Sequence, residues 1–328
     1  MLNYKDKRIL VTGGAGFIGS EVVSQLIKKN AIVTVLDNFS SGKKHYISKH
    51  KIKIVKGDIT DEKIVAKTVK DQEVVFNLAA LPFIPDSYYY PVDFFHVNTI
   101  GSLNVAWSSV KSKTVEAFVQ ISTSEVYGSA QTVPMDENHP TAPHSTYAVS
   151  KLAADRAAFT LHKENGFPVV VIRPFNSFGP RFTEPYIIPE IMNQILRGNN
   201  ELTLGNVHSS RDFTYVEDTA NGILRCLQEK KAVGEIINIG SGKEISIYDL
   251  ARKIAKISKK KIKIKYDESR ERPYDVNRLL ADNSKARKIL KWKPTISVEK
   301  GLSLTYKWAQ KNKVIFSAPF SRWYYKNK

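Results

Sequence analysis

RILVTGGAGFIGS, residues 8–20, sets a β-branched run directly before three glycines, Gly13, Gly16 and Gly19, spaced G-x-x-G-x-x-G. Glycine belongs where a chain turns tightly and its backbone must approach a phosphate. The helix that Phe17 and Ile18 open then offers free N–H groups and the positive end of its dipole. Glycines alone are weak evidence, because loops are rich in them. Context strengthens the reading: a strand precedes the loop, an apolar helix follows it, and an acid, Asp37, ends the next strand. This is the opening of a βαβ unit in a parallel sheet.

Working outward, further strands are expected at 32–36, 52–55, 74–78, 117–121 and 168–172, separated by helical stretches near 17–29, 61–70, 91–110 and 145–165. The fold class is α/β, a doubly wound parallel sheet. Beyond Pro174 the texture changes to short strands near 202–204, 212–215 and 235–239, with helices near 186–197, 217–229 and 246–257. We therefore expect a nucleotide-binding domain over 1–174 and a smaller α/β lobe over 175–328, with some segments of the lobe returning to the sheet.

The 328 residues are 42% hydrophobic and 25% charged, as in an ordinary globular protein, and the single cysteine, Cys226, excludes a disulfide-built domain. No apolar run is long enough to cross a bilayer and no signal-peptide pattern opens the chain, so a cytoplasmic, membrane-free protein is expected. The net charge of +18 is unevenly placed: residues 1–250 contribute +1 and residues 251–328 contribute +17. Without a nucleic-acid-binding module, we read the basic excess from Lys259 to Lys328 as a solvated face, with no nucleic-acid partner. The seven histidines show no metal-ligand spacing, so no metal is expected.

Asp37 can accept hydrogen bonds from both adenosine ribose hydroxyls and would repel a 2′-phosphate, which favours NAD over NADP. Asn38, Ser40, Ser41 and Gly42 follow it with no arginine to welcome that phosphate. Asp58 and Ile59, after the third strand, either frame the adenine or form a turn. Tyr147 and Lys151 are four apart on a helix and so share a face; an ammonium beside a phenol should lower its pKa toward neutrality and make it a general base. Ser122-Thr123-Ser124-Glu125 stands at the carboxyl end of the fifth strand, where doubly wound sheets bind ligands. The aromatic run Tyr88-Tyr89-Tyr90 and His96 border either a ligand or a helix–loop contact.

TGGAGFIG, Asp37, NLAA (77–80), STSEVYG (122–128), YAVSK (147–151) and RPFNSFGPR (173–181) together resemble the extended short-chain dehydrogenase/reductase superfamily of NAD-dependent nucleotide-sugar epimerases and dehydratases, over nearly the whole chain. The resemblance implies a Rossmann-type fold, NAD as cofactor, and Thr123, Tyr147 and Lys151 as a shared oxidation triad. It also implies that Leu78, Ala79, Ala80, Asn98 and Phe175 line the NAD. Ser87, Asn176, Arg211, Arg272 and Asp275, with Thr123, would hold a nucleotide-diphosphate sugar, and arginine forks suit its oxygens. A homodimer through the helices near 91–110 and 145–165 is implied as well.

The shared first step would remove the C4 hydroxyl proton and hydride. A 4-epimerase then needs no further acid or base, whereas a 4,6-dehydratase needs a carboxylate to take the C5 proton and a donor for the departing C6 hydroxyl. Glu125 suits the base. Ser124 stands where dTDP-glucose dehydratases carry an aspartate, leaving Tyr147 or a water on Ser124 as donor. Thr-Ser-Glu is also a decarboxylase pattern, and Pro82 stands where galactose-type epimerases commonly carry lysine. Segments 202–222 and 272–294 most resemble N-acetylglucosamine 4,6-dehydratases of the legionaminic-acid type. The expectation is a 4,6-dehydratase acting on UDP-N-acetylglucosamine, ahead of a UDP-sugar 4-epimerase and a UDP-glucuronate decarboxylase. A Rossmann-fold regulatory or nucleic-acid-binding scaffold is the non-enzyme alternative.

Overall fold

A computed structural model describes residues 2–313. The chain opens with β1 (Arg8–Thr12), α1 (Phe17–Lys28), β2 (Ile32–Asp37), β3 (Lys53–Lys56), α2 (Glu62–Val69) and β4 (Val74–Asn77). Two short helices follow, α3 (Ile84–Ser87) and α4 (Pro91–Phe94), and then a π-helical segment (Phe95–Gly101) runs straight into α5 (Ser102–Lys111). The stretch read as one helix is thus interrupted by a wider, underwound π segment in its middle. β5 (Ala117–Ile121), α6 (Thr146–Asn165) and β6 (Val169–Pro174) complete the first part.

Beyond it lie β7 (Asn176–Phe178), α7 (Ile187–Leu196), β8 (Glu201–Leu204), β9 (Ser210–Tyr215), α8 (Val216–Arg225) and β10 (Ile236–Ile239). The described chain ends with β11 (Glu244–Ser246), α9 (Ile247–Ser258), β12 (Lys263–Tyr266), β13 (Arg278–Leu279), α10 (Ser284–Leu290) and α11 (Val298–Asn312). The expected basic tail past residue 313 lies outside the described residues.

Seven parallel strands form one sheet in the order β10-β6-β5-β4-β1-β2-β3. Strand order reverses between β1 and β4, the switch point of a Rossmann-like doubly wound fold. Both faces are covered, so the strands read as continuous apolar runs. Ile9 and Val11 pack with Val22 and Leu26 of α1 and Ile223 of α8, while Leu10 and Leu36 pack on the other face with Val65, Val105 and Ala158. The edge strand β10 comes from beyond residue 174 and pairs with β6, Ile237 opposite Ile172.

The smaller lobe has its own core. β9 is its hub, pairing with β7, β11 and β13. The parallel pair β8–β12 and helices α7, α9 and α11 bury Ile191, Met192, Leu202, Leu250, Ile254 and Leu302. α9 shows how the sequence builds it: Ser246 caps the N-terminus through Asp249 N–H, and Ile247, Leu250, Ala251 and Ile254 recur at helical spacing on the buried face.

Candidate active site

One large cleft runs along the carboxyl ends of the parallel strands and under the smaller lobe. At the switch point a buried polar ladder shapes its floor. Thr12 Oγ1 donates to Asn77 Oδ1 (2.6 Å), Asn77 Nδ2 donates to Gln120 Oε1 (2.9 Å), and Ala79 N donates back to Thr12 Oγ1 (3.2 Å). The ladder pins the turn after β4 against the glycine loop. Gly13 has φ +65°, and a Cβ on it would lie 2.8 Å from the Ala79 backbone. A Cβ on Gly19 would lie 2.1 Å from the Gly13 carbonyl oxygen. Both contacts demand glycine, and the loop they compact presents the N-terminus of α1 to the cleft.

The expected cofactor residues come together here. Gly13, Gly16, Phe17, Ile18 and Gly19 line the cleft with Asp37, Asn38, Ser40, Ser41 and Gly42, and with Asp58, Ile59, Leu78, Ala79, Ala80 and Phe175. The Asp37 carboxylate accepts from Ala15 N (2.9 Å) and Phe39 N (2.8 Å), so it is fixed in place; burial raises its pKa, and these two backbone bonds oppose the rise. Asp58 lines the cleft and closes a turn, accepting from Thr60 N and Oγ1 and from Asn38 Nδ2. A compact glycine loop, a helix N-terminus and a fixed acid at the end of β2 fit a dinucleotide with a free adenosine ribose.

Asn98 and Ser87 do not line the cleft. Asn98 is fully buried on the π segment, where its amide accepts from Leu81 N (2.7 Å) and donates to Leu81 O (3.1 Å) and Ser150 Oγ (3.0 Å). Its place is behind the turn that follows β4. Ser87 is also fully buried, and its hydroxyl donates to Ile84 O in its own helix. Tyr88, Tyr89, Tyr90 and His96 are likewise set back from the cleft wall.

Thr123, Ser124, Glu125, Tyr147 and Lys151 converge in the middle of the cleft. Thr123 caps a 3-10 turn, its Oγ1 accepting from Glu125 N (3.2 Å), so Thr123 and Glu125 are held together. Ser145 caps α6 by accepting from Ala148 N, which sets Tyr147 and Lys151 on the first turns of that helix. The Tyr147 side chain hydrogen bonds with Thr123. Lys151 is buried and donates to Ile121 O (2.6 Å). Behind it Asp155 holds Arg173 through two buried contacts (2.8 and 3.3 Å).

The electrostatics correct one expectation. Burial raises the Tyr147 phenol well above its ordinary value; the Thr123 bond lowers it, and the Glu125 carboxylate raises it further. Lys151 is not among the groups that shift the phenol in the protein alone; its ammonium donates to the Ile121 carbonyl. Burial also lowers Lys151 itself to about 8, against the pull of Asp155.

At the far end Asn176, Arg211, Arg272 and Asp275 line the cleft. The Asp275 carboxylate links both arginines, Arg211 at 3.3 Å and Arg272 at 3.4 Å, and Glu125 lies within electrostatic reach of each. Several lining residues carry no signal in the sequence. Tyr186, at the N-terminus of α7, donates to Pro82 O (2.6 Å) and rests on the Phe83 ring, joining the lobes. Arg270 pairs with the buried Glu190 and donates to Thr203 O. Both contacts cross long sequence separations that no local pattern announces.

Residues 10–305 match the family model described as GDP-mannose 4,6 dehydratase. The chain belongs to this family. It is 34% identical to a putative UDP-glucose 4-epimerase of Methanocaldococcus jannaschii, over 93% of this chain and 99% of the relative. It is 32% identical to a UDP-N-acetyl-alpha-D-glucosaminuronate decarboxylase of Bacillus cytotoxicus, over 92% and 97%. Among solved structures, the dTDP-glucose 4,6-dehydratase DesIV of Streptomyces venezuelae, crystallised with NAD, superposes with a TM-score of 0.86 at 28% identity, over 93% of this chain and 98% of that one. The family is that of NAD-dependent nucleotide-sugar epimerases and dehydratases, and its members share one fold while differing in reaction.

Proposed function

We propose that this protein is an NAD-dependent 4,6-dehydratase of a nucleotide-linked sugar, with UDP-N-acetylglucosamine as substrate. The observation that carries the reading is Glu125, a buried carboxylate on the turn capped by Thr123 and within electrostatic reach of Tyr147. The glycine loop and Asp37 would hold NAD, which when bound would supply the acceptor and donor of a hydride. Tyr147 takes the C4 hydroxyl proton, Thr123 orients that hydroxyl, and Lys151 supports the phenolate. Glu125 then takes the C5 proton, made acidic by the neighbouring ketone, and the C6 hydroxyl leaves with a proton as water; the C5–C6 double bond so formed would regain the hydride at C6 and the proton from Glu125 at C5. Ser124, also lining the cleft, is a poor acid, so Tyr147 or a water held by Ser124 is the proposed donor. Arg211, Arg272 and Asn176 would hold the diphosphate.

A second reading has its own support. Arg211 and Arg272 both lie within electrostatic reach of Glu125, and a cation near that position would suit a sugar carboxylate, the substrate of a decarboxylase. Mass analysis after incubation with UDP-N-acetylglucosamine separates the cases. Loss of one water is expected; unchanged mass with conversion to the galacto isomer would mean a 4-epimerase. Loss of carbon dioxide from the matching uronate, with the first sugar untouched, would mean a decarboxylase. Glu125→Gln should still form NADH with sugar but release no water; normal dehydration by this variant removes Glu125 as the C5 base. We further propose a homodimer through α4, the π segment, α5 and α6, whose exposed face carries Val92, Phe95, Ile100, Leu103, Trp107 and Val149.

A further inference from the structure

Residues 271–277 cross the cleft without regular secondary structure, between the 3-10 turn Glu268–Arg270 and β13. They carry Arg272 and Asp275 into the cleft, so the placement of these two side chains depends on how the strap is tethered. Its tethers reach to the opposite lobe. The Tyr274 ring stacks on the His144 imidazole, with centroids 3.8 Å apart and planes 10° from parallel. His144 Nδ1 lies 3.2 Å from the Asp275 carbonyl oxygen, which can only accept, so the N–H is on Nδ1. Further along, Asn277 N donates to Ser129 Oγ (2.9 Å) and Ala130 N to Arg278 O (3.2 Å).

The platform is rigid where it receives the strap. Gly128, closing the turn that bears Thr123 and Glu125, has φ +68°, and a Cβ there would meet the Ala142 carbonyl oxygen at 2.0 Å. His144 stands two residues beyond Ala142, directly before the Ser145 cap of α6. One histidine therefore joins the strap to the loop that introduces Tyr147. It grips Tyr274 and Asp275, the residues at and next to the two cleft-facing positions. Tyr274 is otherwise 61% exposed, so burial does not explain its fixed stacking.

We propose that His144 and Tyr274, neither of which lines the cleft, are positioning residues that set nucleotide-sugar affinity by holding Arg272 over the diphosphate, with Asp275 fixing the two arginines in place. The proposal rests on the reading of the cleft as a nucleotide-sugar site. The test is calorimetric titration of the NAD-loaded protein with UDP, a probe common to dehydratase, epimerase and decarboxylase, together with KM and kcat for the sugar it turns over. Tyr274→Ala and His144→Ala should each weaken UDP binding and raise KM about 3–10-fold, the range an aromatic pair supports, with kcat within about twofold. Tyr274→Phe, which keeps the ring, should restore wild-type affinity. The double alanine variant should be little worse than either single one, because both remove the same contact.

Unchanged UDP affinity in both alanine variants overturns the proposal. So does a fall in kcat at constant KM, or a Phe variant as weak as the Ala variant. Wild-type protein that takes up NAD but no UDP would remove the nucleotide-sugar reading itself, and the strap's role with it.

Discussion

Lys151 is under opposing demands. Its cation is needed beside Tyr147, yet the side chain is buried and desolvation lowers its pKa from 10.5 to about 8. At neutral pH the ammonium persists, satisfied by the Ile121 carbonyl and attracted by Asp155. A folded-state pKa below the unfolded one means that the unfolded chain holds the extra proton between those values, so stability rises with pH across that window. In the cofactor-free protein, wild type should gain up to about 3 kcal/mol relative to Lys151→Met as pH rises from about 8 to 10.5. Urea unfolding of both proteins along that pH series measures it, and parallel curves would refute the shift. Below pH 8 the buried charge costs wild type its full penalty, a structural expense for keeping a cation next to the reacting phenol.

At the scale of the element, the π segment Phe95–Gly101 is the decisive departure from a regular helix. An underwound π turn re-aims the side chains after it, and such turns recur at functional sites. Here Asn98 faces inward and secures both polar groups of the Leu81 backbone as well as Ser150, whose hydroxyl in turn donates to Tyr147 O (2.7 Å). Asn98→Ala should cost about 2–3 kcal/mol, since it leaves buried partners unsatisfied. NAD affinity should fall with it, because the Leu81 turn continues the cleft-lining run Leu78–Ala80. Thermal unfolding and NAD titration check the two effects, and an NAD affinity equal to wild type would sever Asn98 from the cofactor end of the cleft.

The same elements show what can be read from sequence. Gly13, Gly19 and Asp37 were legible because backbone approach and strand-end chemistry restrict those positions to one or two residue types. Thr123, Tyr147 and Lys151 were legible because helix spacing and a strand end define them. Asn98 was legible as a residue but not as a role: a π turn differs from an α turn by one residue, and periodicity over twenty residues does not resolve that. His144, Tyr274 and Tyr186 were missed because their partners lie about 100 or more residues away and sit on irregular segments.

For the whole molecule, the basic excess and one cluster of exposed apolar side chains lie on different elements. The described part of the basic excess lies on α9, β12, α10 and α11, with Lys263, Lys265 and Lys291 exposed to solvent. A cluster of exposed apolar side chains lies elsewhere, on α4, the π segment, α5 and α6, where Val92 is 77% and Trp107 43% exposed. A cluster of this kind on a two-helix face suits a second copy of the chain. Trp107→Glu should shift the proposed dimer to monomer in sedimentation, with NAD affinity reduced because the π segment packs on α6. A monomeric wild-type protein at micromolar concentration would sink the assignment.

β10 has a consequence for how the protein is made. During synthesis β1 to β6 emerge together, yet β6 keeps an open edge until the chain has been extended past Ile239. The intervening lobe strands β7, β8 and β9 must therefore be threaded through before the first sheet is closed. That long detour raises the contact order of the nucleotide-binding half and should slow its final consolidation. A cut at residue 174 would release a sheet with an unpaired strand, prone to recruit another chain. The two lobes are thus joined by folding order, so neither half is a module that evolution or an engineer can exchange at that boundary alone.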